Sequence, residues 1–180
     1  SVDEKLSYEA KIAQLFDSML SFRKDIVSIM IFGYNSRVLV SDRRGSVKLN
    51  EYIDIRDQEW YRMAQEANGS AVVSSSHVQN ILRNGKYRWV VSLSRELKKG
   101  RNKIGIFLVD LNYNVINDML SKIKLGKRGY IFIVDREGNI VYHPQQQLIY
   151  SNVKKEMIEE VLNAKENSFT TKEGRNSRIY

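Results

Sequence analysis

The residues best suited to chemistry lie in three separated pieces. The first is RDQEWYRMAQEANG, residues 56–69, where a charged entry leads to Trp60 and Tyr61 at the mouth of a small-residue helix that stops at Gly69. The second is SSSHVQ, which offers Ser75, His77 and Gln79. The third is a pair of strand-like runs, YRWVVSLSREL and KIGIFLVDL, with Trp89 near the start of one and Asp110 closing the apolar stretch of the other. A small-molecule pocket needs apolar or aromatic walls and a few fixed polar groups. Trp60, Tyr61 and Trp89 supply flat walls, and an indole N–H or a phenol adds directional hydrogen bonds. Arg56 can hold an anion, and a carboxylate such as Asp110 can receive an amine or a hydroxyl. The competing reading packs Trp60 in the core and makes Asp110 the cap of the next helix. Composition alone leaves both open.

Reaction chemistry has less support. The only histidines, His77 and His143, are far apart in the chain, and cysteine is absent, so neither a histidine metal site nor a thiolate site or disulfide is expected. His143, in IVYHP, reads as a structural strand-end residue. No phosphate-binding glycine loop, dinucleotide fingerprint or nucleophile elbow occurs. Asp54, Asp57 and Glu59 read as solvated loop carboxylates. No catalytic residue and no cofactor is expected. The net charge is +8, but the basic residues fall in short groups at turns and no helix carries a basic stripe, which argues against nucleic acid as a partner.

These pieces must be positioned by a scaffold. In residues 4–26, Tyr8, Ile12, Leu15, Met19, Phe22 and Ile26 alternate spacings of four and three, with Phe16 and Leu20 widening the stripe, predicting one long helix whose seam docks on its own domain or on a second copy. VSIMIFG and SRVLVSD predict a hairpin, DRRGS a turn, and 57–67 a short helix. Asn84-Gly85 is a strong hairpin signal. YRWVVSLSREL and KIGIFLVDL are joined by the basic turn KKGRN, and 113–124 returns to helix with Val115, Ile116, Met119, Leu120 and Ile123 on one face. From Gly129 the pattern repeats: YIFIVD, REGN and IVYHP predict a hairpin, and VKKEMIEEVLNA a helix capped by Asn152. Hairpins separated by short helices predict an antiparallel α+β fold, not a doubly wound sheet. No window approaches the roughly 18 apolar residues of a membrane span, and the charged opening SVDEKLSYEAK is not a signal peptide.

Taken together, the long helix, IRDQEWYRMAQEANG, YRWVVSLSREL, GIFLVDL followed by a helix, and GKRGYIFIVDREGNIVYHP resemble the double Cache (dCache) family over nearly the whole chain. That resemblance implies an extracellular sensing domain of a bacterial membrane receptor, built of PAS-like modules in tandem on a long N-terminal helix. The implied division is a helix at 1–26, a membrane-distal sensing module at 27–125 and a membrane-proximal module at 126–180, the last lacking its closing strands. DQEWY and SSSHVQ most resemble the ectodomains of sensor histidine kinases in Gram-positive bacteria. A chemoreceptor ectodomain, a docking or dimerisation platform without a ligand, and an intracellular PAS-like domain are the alternatives.

In such receptors the Trp-Tyr pair lines the distal pocket. The site implied here is therefore Trp60, Tyr61, His77, Trp89 and Asp110, with Arg56, Gln58 and Ser75. Amino-acid-binding members carry a Tyr, an Arg, Trp-Tyr, another Tyr and an Asp. Trp60, Tyr61 and Asp110 match. Ile53 replaces the first Tyr, Gln58 the Arg, and Ser76 or His77 the second Tyr. Without that Arg the bidentate grip on a carboxylate is missing. The expected ligand is a small polar molecule, with a neutral sugar or polyol at least as well suited as an amine or amino acid. A solute-binding protein and a second copy of the chain are the expected macromolecular partners.

Overall fold

The structure is a computed structural model, and it describes residues 2–43, 47–83, 88–166, 168–173 and 176–180. The N-terminal helix is α1, Val2–Phe22. Strands β1 (Ile26–Gly33) and β2 (Val38–Asp42) form a hairpin, followed by the short β3 (Lys48–Leu49). A single 3₁₀ turn (Ile55–Asp57) leads into α2, Glu59–Glu66. Next come β4 (Ala71–Val73), β5 (His77–Val78) and β6 (Leu82–Arg83), then the two long strands β7 (Trp89–Lys99) and β8 (Asn102–Asn112) and α3 (Tyr113–Leu120). The remainder holds β9 (Ile133–Val134), β10 (Ile140–Tyr142), α4 (Gln146–Tyr150), α5 (Ile158–Asn163), β11 (Thr170–Glu173) and β12 (Asn176–Ile179). The Asn84-Gly85 turn and most of the DRRGS turn lie outside the described residues.

The main sheet runs β2-β1-β8-β7-β4, with β5 also on β7, and every pairing is antiparallel. The mixed α+β, PAS-like architecture expected from the sequence is thus present. Among the described residues, no strand after α3 joins this sheet. The β9–β10 and β11–β12 pairs stand apart from it.

Side chains alternate across a strand, so each long strand has two faces. On one face, Ile26, Ile29 and Val109 pack against Phe16 and Leu20 of α1. On the other, Met30, Phe32, Ile106 and Leu108 pack against Trp60, Tyr61 and Ala64 of α2. This explains why IVSIMIFG reads as a nearly unbroken apolar run: it is covered on both sides. Gly105 lets β8 approach β1, because a Cβ there would sit 2.4 Å from the Phe32 carbonyl oxygen.

Three helical expectations are corrected. The first helix ends at Phe22, and Ile26 belongs to β1. Arg43, on the hairpin's far end, donates to the Arg23 and Ile26 carbonyls just past the helix. The docked stripe is Ile12, Phe16 and Leu20, at spacings of four, and not the proposed seam; Tyr8, Leu15, Met19 and Phe22 of that seam are exposed on the single chain. The third helix stops at Leu120, leaving Met119 and Ile123 exposed. Asn152 caps no helix start. It adopts a left-handed φ of 57° just after α4, and the later helix covers only Ile158–Asn163.

The C-terminal part is held by a buried pair. His143 Nε2 lies 2.9 Å from Glu156 Oε1, both side chains being fully buried. Tyr130, Tyr180 and Lys154 also reach Glu156. Burial pushes the His143 imidazole below its usual value despite Glu156. Burial alone would raise the Glu156 carboxyl, but hydrogen bonds from Tyr130, His143 and Lys154, with the Lys154 charge, hold it down.

Two outcomes follow. Leu20→Ala should cost about 2–5 kcal/mol in urea unfolding, while Phe22→Ala should stay within about 0.5 kcal/mol. Equal losses would mean that the docked face is misassigned. Because both members of the buried pair have depressed values in the fold, the unfolded chain takes up protons first as pH falls. Melting temperature should therefore drop on acidification through His143's usual range, about 6.5, and further below that of Glu156, about 4.3. His143→Gln should flatten the upper part of that drop, as scanning calorimetry across the pH series would show.

Candidate functional site

The site is built on the α2 face of the sheet. Asp54 starts the 3₁₀ turn, its carboxylate accepting from the Arg56 backbone N–H at 2.9 Å and from its guanidinium at 2.6 Å. The Arg56 side chain holds the Asp54 carboxyl down at about 2, and Arg56 itself points to solvent. Gln58 is the extended residue before α2. Trp60 follows, 1% exposed, stacked on Phe32 at 5.5 Å and edge-on to Tyr61 at 5.7 Å. Ser94 of β7 donates to the Trp60 carbonyl at 2.8 Å, which ties the start of α2 to the sheet.

A cleft of about 440 Å³ opens beside Trp60. Gln58, Glu59 and Trp60 form one side, His77, Val78 and Asn80 another, and Tyr150 of α4 the rim. Two buried polar atoms in this lining have no hydrogen-bond partner: the Trp60 Nε1 donor and the Asn80 Oδ1 acceptor. Unpaired buried groups are uncommon and costly, roughly 1–3 kcal/mol each. A ligand offering one acceptor and one donor would relieve both. Among the described residues, the lining contains one carboxylate, Glu59, and no Lys or Arg.

Asp110 sits on the same face, paired in register with Ser28 and Ser92. It is 1% exposed and does not line the cleft. Its carboxylate accepts from Ser28 Oγ at 2.8 Å, Ser92 Oγ at 2.6 Å and Gln79 Nε2 at 3.2 Å. His77, a lining residue, connects to it through Ser92, with Nδ1 donating to the Ser75 carbonyl at 2.9 Å and Nε2 at 3.4 Å from Ser92 Oγ. At the far end of the sheet another buried carboxylate, Glu96, pairs with Lys103 at 3.0 Å. Asp110 differs from it: its hydrogen-bond donors are all neutral. A cationic ligand group in the cleft would feel Glu59 directly and Asp110 at longer range, beyond Ser92.

The eight residues singled out in the sequence therefore separate. Gln58, Trp60 and His77 line one cleft. Tyr61 is buried in the core beside Trp60, and desolvation raises its phenol. Trp89 packs edge-on against Tyr150 at 5.2 Å, just outside the lining. Ser75 donates to Glu59. Arg56 faces away, so it does not replace the missing anion grip. The helix-cap role considered for Asp110 belongs to Asn112, whose side chain accepts from the Asn114 N–H. The core role considered for Trp60 is real, and Trp60 fills it while also walling the cleft. Glu59, read from sequence as a solvated loop carboxylate, instead begins α2 and lines the cleft, and Asn80 and Tyr150 were not singled out. Glu59 and Asn80 adjoin the chosen motifs, whereas nothing in QQLIY marks Tyr150. Among the described residues, no three His, Asp or Glu side chains gather as a metal site, and no helix is long and apolar enough to cross a membrane.

Comparison with known proteins gives a consistent picture. The double Cache family model, described as a Cache domain, matches residues 4–180. The methyl-accepting chemotaxis protein McpB of Bacillus subtilis (strain 168) is 32% identical over 96 residues, 53% of this chain and 13% of that protein. McpA of the same organism is 23% identical over 168 residues, 89% of this chain and 22% of that protein. Among solved structures, the ligand-binding domain of the Pseudomonas aeruginosa PAO1 amino-acid chemoreceptor PctB in complex with L-Gln aligns with a TM-score of 0.70 at 17% identity, covering 94% of this chain and 66% of that one. The ligand-binding domain of the Pseudomonas fluorescens chemoreceptor CtaA in complex with L-valine aligns at 0.59 and 21% identity, covering 77% and 58%. The chain thus spans about a fifth or less of these curated receptors and about three-fifths of these solved domains.

Burial changes what removal of Asp110 should do. From sequence, Asp110→Ala is expected to weaken binding and spare the fold. In the structure it strands three buried donors, so it should cost about 2–4 kcal/mol of stability. A melting temperature equal to the parent's would show that the network does not form.

Proposed function

We propose that this chain, which belongs to the double Cache (dCache) family of Cache domains, is the extracellular sensing part of a membrane-bound chemoreceptor. In this reading it does no chemistry and holds a small polar ligand in the cleft beside Trp60. The observation that carries the proposal is the cleft itself. It has the size of a small-molecule site, and its lining residues Trp60 and Asn80 carry a buried, unpartnered indole N–H and an unpartnered amide oxygen. Every relative quoted above is a chemotaxis receptor or the ligand-binding domain of one. That favours a chemoreceptor over the histidine kinase that DQEWY and SSSHVQ resemble. The division near Gly126 into a membrane-distal and a membrane-proximal module is retained, with the ligand in the former.

The ligand class we infer is a small amine-bearing molecule, with amino acids the first group to try. Glu59 lines the cleft, Asp110 is linked to the lining residue His77 through Ser92 and has neutral donors only, and the quoted solved relatives hold L-Gln and L-valine. Gln58 and the outward Arg56 leave a carboxylate no guanidinium, so the acid end would rest on Trp60 Nε1 and neutral donors. The signalling assembly is a dimer in this reading, formed through Tyr8, Leu15, Met19 and Phe22, which repeat at heptad-like spacing on the exposed side of α1.

Calorimetric titration against panels of amino acids, simple amines, sugars and polyols tests the ligand class. At least one amine-bearing compound should bind, and Asn80→Ala should weaken it by about 1–2 kcal/mol. Binding by sugars or polyols alone would overturn the amine assignment.

A further inference from the structure

The cleft has one feature that the family resemblance did not supply. Among the described residues, all of its lining lies between residues 58 and 80 except Tyr150, which comes from α4. Tyr150 is 66% exposed, yet its ring is held edge-on against Trp89 at 5.2 Å. Trp89 is the register partner of Val78, itself a lining residue. The short α4 is firmly terminated: Ser151, Asn152, Val153 and Lys154 all donate backbone N–H groups to carbonyls of 147–149. This fixes where Tyr150 stands relative to the chain that follows.

That following chain leads into the buried pair. Lys154 reaches Gln145 at 2.9 Å and Glu156 at 3.3 Å, and the Gln145 N–H donates to His143 Nδ1 at 2.9 Å. Tyr113 completes the circuit on the sheet side. Its ring lies 6.4 Å from Trp89 and stacks on Tyr142 at 5.4 Å, and its hydroxyl donates to the His143 carbonyl. The rim of the cleft is therefore mounted on the His143–Glu156 cluster.

We propose that Tyr150 is a ligand-capping residue: it closes over a molecule bound beside Trp60 and couples occupancy of the cleft to segment 143–156. This rests on the reading of the cleft as the ligand seat. The chemistry fits that seat. A phenol both donates and accepts, and its ring gives a flat cover for an apolar stem or an ammonium group. A ligand that gains contacts only when Tyr150 is in place stabilises that placement by its difference in affinity, and this is the requirement for coupling.

The test is titration of the 180-residue chain with the proteinogenic L-amino acids, repeated for Tyr150→Ala, Tyr150→Phe and, as a cleft control away from α4, Asn80→Ala. Tyr150→Ala should weaken the best binder about tenfold or more, with Tyr150→Phe losing less, and the melting temperature should hold because the ring is largely exposed. Amide exchange across 143–156 should slow on binding in the parent chain and respond less in Tyr150→Ala. Unchanged affinity in Tyr150→Ala alongside loss in Asn80→Ala overturns the cap and leaves the cleft standing. Unchanged exchange across 143–156 overturns the coupling. No binding by the parent chain, or binding indifferent to both variants, overturns the cleft as an amino-acid seat and the cap with it.

Discussion

Period-two alternation on β1, β7 and β8 is the constraint from which the site follows. The central strands are covered on both faces, so each successive residue is committed to one of two environments. Ile29 and Val109 face α1, while Met30 and Leu108 face α2. Ser28, Ser92 and Asp110 share the parity of the α2 face, which is why they meet each other behind the cleft. A slip of one residue in β8 would turn Asp110 toward Phe16 and Leu20 and place Val109 among serines. Apolar burial on two sides thus fixes a polar network that apolar forces alone would never assemble.

That network also fixes the floor of the cleft. Ser92 and Gln79 hold Asp110, the Ser75 carbonyl orients His77, and Ser94 anchors the start of α2. Few of these groups are free to rearrange. The atoms left without partners, Trp60 Nε1 and Asn80 Oδ1, belong to residues that line the cleft. A preorganised site of this kind loses little order on binding, so contacts with a small ligand translate more fully into affinity.

Much of this was legible in the sequence because it is local. The apolar runs in VSIMIFG and IGIFLVD, the basic turn at KKGRN and the Trp-Tyr pair at a helix start are short-range patterns. They located the sheet, its longest hairpin and one wall of the cleft. The heptad-like seam of α1 misled because two apolar stripes share that helix. Phe16 and Leu20 won the core, and only tertiary packing decides between stripes on one cylinder. Arg56 could not be oriented from sequence either, since its preference for Asp54 is set by a 3₁₀ turn that has no strong motif. Tyr150 was invisible because its partner Trp89 is distant in the chain and its own surroundings, QQLIY, are unremarkable as a helical turn.

The central claim, that the indole of Trp60 faces the ligand, is tested most directly by its own N–H. The chain has only two tryptophans, so a ¹⁵N-labelled sample gives two indole resonances, and Trp89→Phe assigns them. Titration with a binding amino acid or amine should move the Trp60 Nε1–H resonance downfield as it gains an acceptor, and slow its exchange with water. A compound that binds by calorimetry while the Trp60 indole resonance stays where it was would contradict the account.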